Sequence, residues 1–149
     1  MTDINFYQLA ARPLDAVLPR LLDKALAAGF RCVVRSNDAD LLARLDAAIW
    51  TYDPASFLPH SVDGPFAVEQ PILLTSEPAD ANAADLIAVV DGVLPGEPTH
   101  YKRVLYLFDG GDDAALDRAR AHWRALKDRD GVTPVYWRES DGQRWEKAG

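Results

Sequence analysis

Metal or nucleophile chemistry in this chain would have to draw on three histidines, one cysteine and a handful of serines. His60, His100 and His122 are scattered, and none stands four residues from another His or Cys, the spacing that puts two ligands on one helix face. Ser56 and Ser61 lie in no Gly-x-Ser-x-Gly elbow. Phosphate chemistry fares no better: there is no G-x-x-x-x-G-K-[ST], and Leu9-Ala10-Ala11-Arg12-Pro13 lacks a glycine that would let a phosphate approach the backbone. Gly110-Gly111 is the only glycine pair, a weak nucleotide signal. Cys32, inside Cys32-Val33-Val34, has no disulfide partner and reads as a buried structural thiol. His60 follows Pro59 and is expected to satisfy loop backbone groups. The expectation is therefore no catalytic set, no cofactor and no metal.

Two other groupings suit recognition instead. From Leu41 to His60 the chain runs an amphipathic helix into Trp50, breaks at Pro54 and presents Phe57, Leu58, Pro59 and His60 in a loop. Read by period alone, Trp50 and Phe57 are core residues. Large apolar groups beside a helix end, with no catalytic residues among them, also fit a docking surface. The second grouping lies between Asp112 and Arg129, where acidic residues come early and basic ones late, an order that matches the helix macrodipole. On a 100° wheel Ala115, Ala119, His122 and Leu126 face the core, while Leu116, Arg120, Trp123, Arg124 and Lys127 form an adjoining face. Spacing leaves two readings open: Trp123 tucked under a solvated basic face, or Trp123 flanked by cations as a seat for a short acidic peptide with apolar anchors.

The elements that must carry these groups follow from periodicity. Residues 4–9 alternate and suit a first strand, and Pro13 opens a helix with apolar positions from Leu14 to Leu26, capped near Gly29 and blemished by Pro19. Residues 31–35 read as a buried parallel strand, and Ser36, Asn37 or Asp38 can cap the next helix. Residues 61–67 read as irregular, while 70–75, 85–90, 103–108 and 132–137 read as further strands, the last with Pro134 suggesting an edge. This βαβα opening predicts an α/β fold, a three-layer Rossmann-like sandwich with a mostly parallel sheet. With 149 residues, 48% of them hydrophobic, one domain over 1–149 is expected, its polar tail from about residue 138 fraying. A net charge of −7 argues against a broad nucleic-acid surface, so any contact with DNA is expected to be indirect. The N-terminus lacks a signal-peptide pattern and no apolar run reaches membrane-spanning length, so no membrane partner and a cytoplasmic location are expected.

The chain resembles the chi subunit family of bacterial DNA polymerase III over nearly its whole length. The resemblance is carried by Asn5-Phe6-Tyr7, by Leu45-Asp46-Ala47-Ala48-Ile49-Trp50 with Ser56-Phe57-Leu58-Pro59-His60 beyond it, and by the helix from Arg118 to Lys127 leading to Gly131 and Trp137. It implies a small α/β protein without catalysis of its own, joined to the clamp-loader assembly through the psi subunit and binding the acidic, hydrophobic-ended C-terminal tail of single-stranded DNA-binding protein. By position, Trp50, Phe57, Pro59 and His60 fall at the family's psi contact, and Arg120, Trp123, Arg124 and Lys127 at its tail-binding helix. After Phe108 the family continues with apolar residues, whereas Asp109-Gly110-Gly111-Asp112-Asp113 stands here, and acidic groups beside the tail site would repel an acidic tail. Two alternatives remain beside this reading, a Rossmann-like nucleotide-binding enzyme and an adaptor for a helicase.

Overall fold

In the computed structural model, residues 1–10, 12–52, 59–62, 70–76, 82–95, 97–140 and 144–148 are described. They build one eight-stranded sheet with α1 (Leu14–Ala27), α2 (Ala39–Thr51) and α3 (Asp113–Leu126) packed on it. The strands are β1 (Thr2–Leu9), β2 (Cys32–Arg35), β3 (His60–Val62), β4 (Ile72–Thr75), β5 (Leu86–Val89), β6 (Arg103–Asp109), β7 (Val132–Ser140) and β8 (Arg144–Lys147). They lie in the order β3-β4-β2-β5-β6-β1-β7-β8, and every pairing is parallel except the β7–β8 hairpin.

Alternation along the strands sorts side chains into two cores. Leu9, Cys32, Val34, Ile72, Leu74, Leu105 and Leu107 pack with α1 and α2, while Ile4, Phe6, Val33, Ile87, Val104, Tyr106 and Tyr136 pack with α3. The three layers follow: α1 and α2 on one face, the sheet, and α3 on the other. Direction of travel explains the split. From β1 to β2, and on to β3, the chain moves one way across the sheet, whereas from β6 to β7 it moves the other way. With crossovers of one hand, opposite travel places the connecting helices on opposite faces. The point of reversal is between the neighbours β1 and β6.

Local chemistry sets the helix ends. Gly29, at φ +91°, closes α1: its N–H donates to Leu26 O and that of Phe30 to Ala25 O, the paired bonds of a left-handed terminus. The helix runs through Pro19, which is buried in the core. Asp38 caps α2 by accepting from Leu41 N, and Asp112 caps α3 by accepting from Ala114 N and Ala115 N.

Two expectations need correcting. His60, Ser61 and Val62 are not loop but a short edge strand hydrogen-bonded to β4, because three residues carry too little alternation to be read as a strand. Residues 144–147 do not fray as expected of the tail: they form β8, antiparallel to the end of β7, with Trp145 against Tyr7 at 5.0 Å between ring centroids. β1 and β2 are not adjacent, since β6 and β5 lie between them. The edge reading of Pro134 survives in modified form. β8 pairs with residues 137–140, so among the described residues Pro134 sits where β7 has no outer neighbour and its missing N–H disrupts no ladder.

Candidate docking surfaces

The first surface is built on the last turn of α2 and the sheet edge. Leu42, Leu45 and Ile49 bury one face of the helix, which turns Trp50 outward. Trp50 is 58% exposed, with its ring centroid 4.8 Å from that of His60. His60 opens β3, is buried, and places Nε2 3.0 Å from Asp46 Oδ1, a carboxylate one turn back on α2. His60 thus packs between strand and helix beneath Trp50. Pro59 is half-buried beside it, and Val62 at the other end of β3 is exposed. The structure therefore brings Trp50, Pro59 and His60 together; Phe57 lies outside the described residues.

The second surface is built on α3 and β7. Ala119 and Leu126 are buried and Trp123 is half-buried, standing edge-on to Phe6 at 5.6 Å and to Tyr136 at 5.8 Å. Phe6 and Tyr136 are themselves stacked at 6.1 Å, and Asn5 accepts from Trp137 Nε1 at 3.1 Å. Phe6 is thus the floor under Trp123, while Tyr7 packs on the opposite face of the sheet with Trp145. Arg120, Trp123, Tyr136, Arg138 and Ala148 line a small open cleft of about 160 Å³. Arg124 and Lys127 are exposed on the same helix but do not line the cleft. Burial pushes the Tyr136 phenol up, against the opposing pull of Arg120 and Arg138, so it stays protonated and donates to Gln8 Oε1.

Sequence reading missed Tyr136 and Arg138 as members of this group. Their signal was their spacing of two on a strand, which gives them one face, but only the β1–β7 pairing brings that face beside α3. Trp123 is half-buried, packed on Phe6 and Tyr136 and lining the cleft. The acidic stretch after β6 is spent locally: Asp109 Oδ1 accepts from Gly111 N and Asp112 caps α3. At 1.5 Å per residue Asp113 stands about 15 Å along the helix from Trp123.

The remaining candidates are dispersed. His122 lies under α3 with Nδ1 2.8 Å from Tyr106 Oη, and His100 lies in a short helical turn, residues 98–100. Burial lowers the His122 pKa, with Arg118 adding to the effect, and burial raises that of Tyr106 to about 12. At neutral pH a protonated phenol and a neutral imidazole share this hydrogen bond. Cys32 is fully buried, and burial pushes its thiol up to about 12. No helix among the described residues is long and apolar enough to cross a membrane.

Residues 1–133 match the family described as DNA polymerase III chi subunit, HolC. The chain belongs to the chi subunit family. It is 30% identical over 93 residues to a probable DNA polymerase III subunit chi of Rickettsia prowazekii, covering 62% of this chain and 52% of that one. It is 28% identical over 110 residues to a DNA polymerase III subunit chi of Pseudomonas aeruginosa, covering 72% of this chain and 77% of that one. The chain thus spans about half the length of the Rickettsia relative. The match to the chi family takes in both α2 with its Trp50 and α3 with its cations, and it stops inside β7.

Proposed function

We propose that this chain is an accessory subunit of the bacterial DNA polymerase III holoenzyme, joining the clamp-loader complex through a psi subunit and holding the acidic C-terminal tail of single-stranded DNA-binding protein. The observation that carries the proposal is that one chi-family scaffold displays two chemically different surfaces. An outward-facing tryptophan beside a short edge strand suits durable apolar assembly, and a tryptophan-tyrosine cleft bordered by arginines suits a transient acidic peptide with an apolar end. Trp50, Pro59 and His60, with Phe57, form the psi side of this reading. Arg120, Trp123, Arg124 and Lys127 form the tail side, to which Tyr136 and Arg138 are added.

The division of labour is testable by separation of function. Trp50→Ala should abolish co-purification with psi and leave tail-peptide binding unchanged, because Trp50 is largely outside the core. Arg120→Glu or Arg124→Glu should weaken a peptide of the tail sequence about tenfold in calorimetry, about 1.4 kcal/mol, and leave psi capture intact. No heat of binding for the wild type at low salt would remove the tail assignment, and undiminished psi capture by Trp50→Ala would remove the other.

A further inference from the structure

An α/β sheet takes its ligands outside the carboxyl ends of its strands, at the point where the winding reverses. In this chain that point lies between β1 and β6, and a crevice of about 650 Å³ opens there. It is bounded by the loop after β1 (Ala10, Arg12, Pro13), by the ends of β5 and β6 (Val90, Phe108, Asp109) and by α2 (Leu41, Arg44). Backbone N–H groups of a strand-to-helix loop are the usual cradle for a phosphate in such a crevice.

Beside the crevice, the N–H groups of Ala10 and Arg12 already hold an anion, which does not itself line the crevice. Glu139, on the α1 side of β7, is buried with no exposed side-chain surface. Its Oε1 accepts from Ala10 N at 3.0 Å and Arg12 N at 3.3 Å, and its Oε2 accepts from Arg12 Nε at 2.6 Å. Arg12 lies at the same time 5.6 Å from the Trp145 ring centroid. A carboxylate in a buried place is tolerated only when paired and hydrogen-bonded, and these three bonds supply both. Burial pushes the Glu139 carboxyl up, and the bonds from Ala10 and Arg12 outweigh that push, so it titrates below the ordinary carboxylate range.

We propose that Glu139 is a built-in anion that occupies, from β7, the N–H groups of Ala10 and Arg12 bordering the crevice, so that these groups are a phosphate cradle closed by the chain's own carboxylate. The absence of a glycine in residues 9–13 fits this, because a side-chain carboxylate needs less room against the backbone than a phosphate. Glu139 and Trp145 both lie beyond the residues that match the family, so the closure is supplied by a part of the chain outside that match. The inference is independent of the partner assignments above.

The test is to remove the carboxylate and offer an anion in its place. Thermal unfolding is followed for wild type, Glu139→Ala and the double variant Glu139→Ala with Arg12→Ala, in inorganic phosphate and in chloride of matched ionic strength. The wild-type midpoint should be the same in both salts. Glu139→Ala should melt lower in chloride and recover as phosphate is raised, saturating as a single site does, while the double variant should not recover. If Glu139→Ala is unfolded in chloride, its far-ultraviolet circular dichroism should return with phosphate. A Glu139→Ala protein indifferent to phosphate, folded or unfolded, overturns the proposal, and so does a wild type that phosphate stabilises as strongly as the variant.

Discussion

Two titratable residues, half-buried His122 and buried Glu139, make the stability of this protein depend on pH, in ways that can be separated. His122 has a folded pKa below its ordinary 6.5, so the folded state resists protonation; its contribution is complete above that value and is lost as pH falls through the lowered folded one. Replacing His122 with Gln should flatten the stability profile just below neutrality, measured by urea unfolding in steps of pH. Glu139 acts at lower pH. Its folded pKa lies below the ordinary 4.5, so the stability it adds with Arg12 is present above 4.5 and disappears as pH falls through the depressed value. Glu139→Gln should therefore lower stability at pH 7, and the gap to wild type should close in acid. The His122 stripe was readable from helical spacing, but its partner Tyr106 was not, since that pairing depends on which strand lies under α3. Glu139 carried no local signal at all, because its partners Ala10 and Arg12 are 129 and 127 residues away.

At the scale of elements, two glycines that look alike in sequence have different duties. Gly29 is the left-handed end of α1, and an added Cβ would meet nothing within 4 Å, so Gly29→Ala should cost only the backbone strain, about 1 kcal/mol. Gly110 lies where β6 ends against β1: its N–H donates to Leu9 O, and an added Cβ would lie 2.6 Å from Gln8 Cγ and 2.9 Å from Leu9 O. Gly110→Ala should thus cost more, about 1–3 kcal/mol, since β1 and the end of β6 must move apart. Chemical denaturation of both variants checks the order. The same contrast tells which elements were legible. Strands with runs of apolar residues, β2, β4, β5 and β6, and helices with a repeating face could be read directly. β3 and β8 could not, because short edge strands carry polar residues against unwanted pairing, and in β8 Trp145 is the one residue with an inward contact to betray it.

Across the whole molecule a net charge of −7 coexists with a local cationic group, Arg120, Arg124, Lys127 and Arg138. Arg129 does not add to it, being paired with Glu97 at 2.6 Å. Raising salt from about 50 to about 200 mM should weaken acidic-peptide binding at the α3 cleft and leave capture through Trp50 nearly unchanged, because exposed charges are screened and apolar contact is not. Titrations at two ionic strengths decide this. The sheet order adds a consequence of its own. β3 and β7 are separated by six strand spacings, about 29 Å at 4.8 Å each, and α2 and α3 lie on opposite faces. The sheet is in effect a rigid ruler: ligands at its two ends do not touch, their binding energies should add, and a tethered chain engaged at one end meets the other at a local concentration set by that fixed span and its own slack.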